Sequence, residues 1–210
     1  MNIIAHRGQW DKPEHKNTMP AFEKAIKNGY GIETDVREYN GKLVLSHDIA
    51  DSSSVSCSKL FEYYTKNESN AYLALNVKED GIQRIIQGLL CEYAIKNYFF
   101  FDMSVPEMVV YREMGIPFFT RRSDIEHELV LYSDAAGVWV DAFYDDWDMI
   151  SAIAKHLEDR KMVSLISPEI HKKNEKKIWE ELRSSGIADR TGFFLCTDYP
   201  QKAEEFFGGK

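Results

Sequence analysis

The sequence predicts an α/β protein of the (β/α)8-barrel type, with a single domain over residues 1–210 and a small β-hairpin extension after the second strand. Short β-rich runs recur along the chain, and each is followed by a stretch with helical periodicity. Several runs, such as Tyr98–Phe101, are continuously apolar, as parallel strands covered on both faces must be. The 210 residues contain about eight such units, the number that a (β/α)8 barrel requires. An open doubly wound sheet is the alternative, because closure of a sheet is not encoded locally.

The first half of the chain contains four of these units and the hairpin. In chain order we predict a strand over 2–5, a helix over 18–28, strands over 31–36 and 42–46, a helix over 58–66, a strand over 72–77, a helix over 82–96, a strand over 98–101 and a helix over 106–114. Asn40 and Gly41 separate two β-rich runs, which is a strong signal for a tight hairpin turn.

The second half continues the alternation of strand and helix. The predicted pairs are 117–120 with 125–132, 137–140 with 147–159, 162–166 with 175–184, and 193–196 with 200–207. The chain has no low-complexity tract and no linker rich in Pro, Gly and Ser, which favours a single domain.

Composition excludes several classes of protein. The 26 Lys and Arg residues against 34 Asp and Glu give a net charge of −8, which argues against a general binder of nucleic acid or of anionic membranes. No apolar run approaches the ~18–20 residues that span a bilayer, and the first residues lack the pattern of a signal peptide. The three cysteines do not form a C-x-x-C pair, which argues against a disulfide framework and against a cysteine zinc site. We therefore expect a cytoplasmic protein that acts on a small molecule, with neither nucleic acid nor stable membrane insertion; the oligomeric state stays open.

Polar side chains stand at the ends of the first predicted strands, where a barrel carries its chemistry. These strand ends contain His6 and Arg7, then Glu33 and Asp35, then His47, then Asn76 and Lys78. Alternation places Glu33 and Asp35 on one face of their strand, where a bound Mg²⁺ or Ca²⁺ would relieve the repulsion between them. Histidines suit acid–base chemistry near neutral pH, while Arg7 and Lys78 offer positive charge to a phosphate.

The same residues belong to a longer pattern. Its parts are Ile4-Ala5-His6-Arg7-Gly8, Pro13-Glu14, Asn17-Thr18, Gly31-Ile32-Glu33-Thr34-Asp35-Val36, Ser46-His47-Asp48, Asn76-Val77-Lys78 and Thr197-Asp198-Tyr199-Pro200. Together they resemble the glycerophosphodiester phosphodiesterase family, densely over residues 3–48 and more thinly over 70–200.

The resemblance implies a (β/α)8 barrel that uses a divalent metal and two histidines to hydrolyse glycerophosphodiesters to an alcohol and glycerol 3-phosphate. The roles that it implies are His6 and His47 as the acid–base pair, Glu33, Asp35 and the position of Asn76 as ligands of Mg²⁺ or Ca²⁺, and Arg7 and Lys78 as the residues that hold the phosphate. Trp139, an aromatic residue on a later strand, is a further prediction for the wall of the substrate pocket.

Two departures from the family pattern affect these expectations. Two inserted residues, His15 and Lys16, alter the first loop and could reach the phosphate. Asn76 replaces the third metal-binding glutamate, so we expect weaker metal binding. Asp141 and Glu169 follow later strands and could supply the missing carboxylate, while Arg121 could contact a second anionic group.

Two alternatives to hydrolysis remain. The first is a binding module that recognises a phosphorylated ligand without turning it over, an interpretation that Asn76 favours. The second is a lyase that releases a cyclic phosphate after attack by the neighbouring hydroxyl of the substrate.

Overall fold

The computed structural model describes residues 1–144 and 147–208, which contain ten β-strands and seven α-helices. The chain divides into two compact units. The N-terminal unit comprises residues 5–118, and the C-terminal unit comprises residues 1–4 and 119–210. Strand β1 (Asn2–His6) contributes residues to both units. None of the described helices is long and apolar enough to cross a membrane.

The N-terminal unit alternates strands and helices around a largely parallel sheet. After β1 its elements are α1 (Met19–Lys27), β2 (Gly31–Tyr39), β3 (Lys42–Leu45), β4 (Val55–Ser56), α2 (Cys57–Lys66), β5 (Leu73–Val77), α3 (Gln83–Glu92), β6 (Tyr98–Phe101) and α4 (Val105–Glu113). Strand β2 runs parallel to β5, and β5 runs parallel to β6. The residues Asp35, Asn76 and Phe101 are register partners, so the three strands are level near their carboxyl ends. An isolated parallel bridge joins Phe100 to Phe118.

The predicted β-hairpin extension is confirmed. Strands β2 and β3 pair antiparallel, with Tyr39 opposite Lys42. Asn40 and Gly41 adopt φ values of 51° and 76°, and a two-residue turn with positive φ at both positions matches the twist of the strands that flank it. Strand β4, which the sequence did not predict, pairs antiparallel with β3 and extends the hairpin to three strands.

The C-terminal unit contains a parallel sheet and three helices. Its elements are β7 (Phe119–Arg122), β8 (Gly137–Val140), α5 (Met149–Glu158), β9 (Met162–Ile166), α6 (Lys176–Ser184), β10 (Phe193–Thr197) and α7 (Pro200–Gly208). Strands β7 to β10 pair in chain order. The helices cover a core in which Trp179 is buried, with Phe206 and Phe207 at ring distances of 5.5 and 5.7 Å. Burial of a large apolar side chain contributes about 1.5–3 kcal/mol, so this aromatic cluster fixes α6 and α7 against each other.

The helix predicted over residues 125–132 is wrong, because turns occupy this segment. The Ser123 hydroxyl accepts the backbone N–H groups of Ile125 and Glu126 at 3.3 and 3.0 Å. The Arg122 guanidinium donates to the carbonyl oxygens of Ser123 and Glu126 at 3.1 and 2.9 Å. Side chains therefore take the backbone groups that a helix would pair internally, and Leu131 at φ 51° adopts a conformation that a helix does not contain.

Other predicted boundaries shift by a few residues, and α3 and β7 are examples. Helix α3 ends at Glu92 instead of residue 96, because Ala94 adopts φ 52° and the N–H of Ile95 donates to the carbonyl oxygen of Leu90 at 2.9 Å. This is the Schellman pattern that closes many helices. Strand β7 begins at Phe119, two residues later than predicted.

Candidate active site

The turn after β1 is fixed to β2 through Glu33. Arg7 adopts φ 56°, and its N–H donates to the backbone oxygen of Glu33 at 2.9 Å and to Glu33 Oε2 at 3.2 Å. The His6 ring is buried beside the same carboxylate, with Nε2 3.8 Å from Oε2. Gly8 has φ 87°, and a Cβ atom there would lie 2.9 Å from the main chain of Ala21. The turn that presents His6 and Arg7 therefore requires glycine at position 8.

The carboxylate of Asp35 joins three elements of the site. It is fully buried, and its Oδ2 lies 3.2 Å from Arg7 Nε and accepts a 2.9 Å hydrogen bond from Asn17 Nδ2. Its Oδ1 lies 3.3 Å from Lys78 Nζ. The Thr34 hydroxyl donates to Asn17 Oδ1 at 2.8 Å, which fixes the orientation of that amide. Arg7 and Lys78, the two predicted phosphate-binding residues, follow different strands, and both contact the Asp35 carboxylate.

Glu33 lies in an unfavourable environment for a negative charge. Burial, and then the neighbouring charge of Asp35, raise the pKa of Glu33 well above its usual range. The positive charges of Arg7 and Lys78 oppose this rise. The carboxylates of Glu33 and Asp35 therefore repel each other, and the side-chain charges of Arg7 and Lys78 partly offset this repulsion.

His47 lies on the loop after β3 with its side chain 45% exposed. Its Nδ1 lies 2.9 Å from Asp48 Oδ1, and this contact lowers the pKa of Asp48. The Arg37 guanidinium donates to the backbone oxygens of His47 and Lys78 at 3.0 and 3.3 Å. Arg37 thus connects the His47 loop to the end of β5.

A cavity of about 450 Å³ opens beside these residues. Arg7 and His47 line its wall, together with Asn17 and the inserted Lys16. The ammonium of Lys16 lies 4.4 Å from the centre of the Trp10 ring, a cation–π contact that positions it. The predicted catalytic histidine, the predicted phosphate-binding arginine and the inserted lysine therefore face the same space.

Asn76 is buried, and the two ends of its side-chain amide differ in their hydrogen bonding. Its Nδ2 donates to Asp102 Oδ2 at 3.0 Å, while no hydrogen-bond donor among the described residues reaches its Oδ1. Asp102 follows the end of β6 and adopts φ 64°. A buried carbonyl oxygen without a donor is unfavourable, and a bound cation is one partner that would satisfy it.

The donor set fits a hard cation. The described residues contain no group of three or more His, Cys, Asp or Glu side chains placed so that it could hold a metal ion. Glu33 and Asp35 supply carboxylate oxygens, and Asn76 supplies an amide oxygen, the ligand types that Mg²⁺ and Ca²⁺ accept. The third candidate ligand, Asn76, is neutral.

The residues proposed on later strands lie in the C-terminal unit. Trp139 is buried on β8, and its place in a substrate pocket stays a prediction. Asp141 accepts a 2.7 Å hydrogen bond from His171 Nε2. Arg121 pairs with Glu126 at 2.5 Å.

Glu169, a sequence candidate for the third carboxylate, is bound by side chains and backbone of its own unit. Its carboxylate accepts hydrogen bonds from the hydroxyls of Ser167 and Thr197 and from the N–H of Asp198. Trp179 Nε1 in turn donates to the Ser167 hydroxyl at 2.8 Å. These bonds tie the ends of β9 and β10 to α6 and occupy three of the roughly four acceptor sites that a carboxylate offers.

Three residues that contribute to the site were not among the predicted ones. Asp102 had a signal in the sequence, because it directly follows the apolar strand β6 as the other strand-end residues do. Asn17 stands in the family-like pattern, but its bond to Asp35 depends on the loop conformation. Arg37 carried no signal, since its contacts are to backbone oxygens of two distant loops.

No protein-family model and no curated protein matches this sequence. Solved structures are similar to it in fold. A glycerophosphodiester phosphodiesterase from Parabacteroides distasonis has a TM-score of 0.72 and 15% identity, covering 99% of this chain and 96% of its own. An enzyme of that description from Agrobacterium tumefaciens has a TM-score of 0.70 and 15% identity, with 100% of both chains covered.

A phosphodiesterase from Oleispira antarctica, in complex with the product sn-glycerol 3-phosphate, has a TM-score of 0.71 and 15% identity, covering 100% of this chain and 97% of its own. These similarities extend over the whole chain and confirm the predicted fold class. The chain has the fold of the glycerophosphodiester phosphodiesterases, the (β/α)8-barrel type.

Proposed function

We propose that this protein is a metal-dependent phosphodiesterase that hydrolyses a glycerophosphodiester or a related polyol phosphodiester to an alcohol and a phosphomonoester. The observation that carries this proposal is the meeting of Arg7 and Lys78 at the Asp35 carboxylate, with Arg7 and His47 on the wall of one cavity. A phosphodiester needs this combination of fixed positive charge and a group that transfers protons.

Arg7 and Lys78 bind the phosphate. Asp35 pairs with the Arg7 side chain, and Asn17 donates to the same carboxylate oxygen, so the remaining N–H groups of Arg7 are preorganised for a phosphate oxygen. Such fixed donors stabilise the charge that develops on phosphorus without reorganising during the reaction. Lys78 supplies a second charge from the end of β5.

His6 and His47 transfer protons. An ionised carboxylate only accepts hydrogen bonds, so Asp48 fixes Nδ1 of His47 as a donor and leaves Nε2 for proton exchange with the substrate. His6 lies at the end of β1 beside Glu33. One histidine would deprotonate the attacking oxygen and the other would protonate the leaving alcohol. That the two rings face each other across the phosphate is part of this proposal.

Glu33, Asp35 and Asn76 would hold Mg²⁺ or Ca²⁺. The cation would neutralise charge on the phosphate oxygens. The buried carboxylates and the Asn76 oxygen without a donor support this assignment.

The glycerol part of the substrate is proposed from the comparisons. The Oleispira antarctica phosphodiesterase with this fold binds sn-glycerol 3-phosphate as its product. The cavity beside Arg7 is lined by four hydroxyl side chains, those of Thr18, Ser46, Ser53 and Ser54. Such a wall suits an alcohol with several hydroxyl groups better than an acyl chain.

The test is an assay of a panel of glycerophosphodiesters after chelation and after addition of Mg²⁺, Ca²⁺ or Mn²⁺, with products identified by phosphorus NMR. We expect a phosphomonoester that appears only when a cation is present. A cyclic phosphate as final product would indicate a lyase, and saturable binding without turnover would indicate a binding module. Either outcome would contradict hydrolysis.

A further inference from the structure

We infer that Asp102 is a positioning residue for the cation site, because it orients the Asn76 amide so that Oδ1 faces the cation. Through the same hydrogen bond it also places near the site the negative charge that an asparagine cannot carry. This inference rests on the proposed metal dependence. It adds a residue outside the family pattern and specifies how this chain retains a cation site with a neutral third ligand.

The hydrogen bond between the two side chains fixes the direction of the amide. The Asp102 carboxylate can only accept, so the group 3.0 Å from its Oδ2 must be the NH₂ of Asn76. The amide oxygen therefore points away from Asp102. Without this partner, either end of the amide could face the site, and an NH₂ group would repel a cation.

The register of the sheet indicates where the oxygen points. Asn76 on β5 pairs with Phe101 on one side and with Asp35 of β2 on the other. Neighbouring strands lie about 4.8 Å apart, so register partners have adjacent side chains on the same face. Because the NH₂ group turns toward the end of β6, Oδ1 is left on the side of β2, where Asp35 stands.

Burial makes this oxygen a candidate ligand. Asn76 is 6% exposed, and no donor among the described residues reaches Oδ1. A buried carbonyl oxygen without a hydrogen-bond donor is unfavourable. Coordination of a cation would remove this cost, which is a physical reason for the oxygen to be presented in this way.

The arrangement corresponds to an outer-shell carboxylate that orients a ligand of a metal. Removal of such a partner typically lowers metal affinity about 10–100-fold although the ligand itself remains. It also sets the expectation for Asn76→Glu. A glutamate there would bring its carboxylate against Asp102, and the repulsion would offset the gain in charge.

The experiment measures the affinity for Ca²⁺ and Mg²⁺ by calorimetry, and the rise in melting temperature that each cation produces, in five proteins. These are the wild type, Asp102→Asn, Asn76→Glu, the double variant and the control Asp80→Asn. Asp80 also follows β5, and its carboxylate bonds to Ser104, two residues after Asp102. The control therefore removes a nearby acidic charge without touching the Asn76 amide.

We expect Asp102→Asn to bind the cations about 10–100-fold more weakly than the wild type. We expect Asp80→Asn to stay within about twofold, since exposed charges are largely screened. The double variant should bind more tightly than Asn76→Glu alone, because it removes the repulsion. Melting of the cation-free Asp102→Asn protein checks that the fold is retained.

Three results would overturn the inference: equal affinity of Asp102→Asn and the wild type, equal affinity of Asn76→Glu and the double variant, or no saturable binding of either cation by the wild type. If diesters were hydrolysed without cation binding, the role of Asp102 would be contradicted, while phosphodiesterase activity itself would be supported. If the affinities followed the expected order without any turnover, the inference would stand and the proposed hydrolysis would fall.

Discussion

Glu33 on β2 of the N-terminal unit and Glu169 after β9 of the C-terminal unit are both buried glutamates, and burial raises the pKa of each. Glu169 accepts hydrogen bonds from two hydroxyls and one backbone N–H. Glu33 accepts one from the N–H of Arg7 and otherwise faces His6 and the charge of Asp35.

The difference suggests a criterion for separating a structural carboxylate from a functional one, namely the number of fixed donors around it. Hydrogen bonds from fixed groups occupy the oxygens of Glu169, so it ties loops together and has little capacity left for a ligand. Glu33 has fewer such donors and lies beside the charge of Asp35, so its own charge is disfavoured more strongly, and such groups concentrate at functional sites. Both glutamates occupy strand ends in the sequence, and only their partners distinguish them.

The largest effects should follow changes to the proposed acid–base pair. Replacing His6 or His47 by Gln should lower kcat about 10²–10⁴-fold, because each removes one proton transfer. The control is His127→Gln, an exposed histidine that bonds to Arg122, which should keep kcat within about threefold. Steady-state kinetics on a glycerophosphodiester measures this. A loss below about tenfold for either residue would remove it from the acid–base role.

The comparison itself is tested by replacing each glutamate with Leu. Glu169→Leu leaves three donors without an acceptor, so the free energy of unfolding should fall by about 2–5 kcal/mol. Glu33→Leu should leave it unchanged or raise it, because Arg7 N–H keeps the backbone oxygen of Glu33 and the repulsion with Asp35 disappears.

Urea denaturation measures the free energy of unfolding of each variant, and an assay under folding conditions measures its activity. We expect Glu33→Leu to be inactive and stable, and Glu169→Leu to be active where it is folded. Equal losses of stability would show that the two glutamates have the same structural role.

The turn that presents Arg7 should be sensitive to a single methyl group. Gly8→Ala adds a Cβ atom 2.9 Å from the main chain of Ala21 at φ 87°, whereas Gly115→Ala has φ 67° and no atom within 4 Å. The second variant isolates the backbone strain, about 1–2 kcal/mol. Gly8→Ala should cost about 1–3 kcal/mol more, because the neighbouring turn must shift. Thermal denaturation measures both, and equal costs would contradict the close packing at Gly8.

The smallest effect concerns pH. The hydrogen bond to Asp141 raises the pKa of His171 above its ordinary value of 6.5. The folded protein therefore binds a proton more tightly than the unfolded chain. The resulting stability is fully present below pH 6.5 and is lost as the pH rises through the folded pKa. Urea denaturation from pH 5 to pH 9 should show this decline, and Asp141→Asn should remove it. An unchanged slope in the variant would contradict the pairing.

Local patterns predicted much of this molecule. The alternation of strands and helices, the Asn40-Gly41 hairpin and the polar residues at strand ends follow from spacing and from turn chemistry. The helix expected over residues 125–132 fails because Ser123 and Arg122 bind the backbone groups. That competition depends on where two side chains point, which hydrophobic periodicity does not report.

The contacts that separate function from structure were beyond the sequence. The roles that we propose for Asp102 and Glu169 depend on partners 26 and 28 residues away along the chain, Asn76 and Thr197. A strand-end acid is visible in the sequence, while the donors that surround it are set by the packing of several loops.

The most direct test of the proposed active site is the rate of phosphomonoester release from a glycerophosphodiester by the wild type and by Asp35→Asn at saturating Mg²⁺ or Ca²⁺. Asp35 holds Arg7, Asn17 and Lys78 in place. We predict release by the wild type and a loss of at least about 100-fold in kcat/KM for the variant, because fixed charge stabilisation is removed. Equal rates for the two proteins, or no release by the wild type with either cation, would contradict the account.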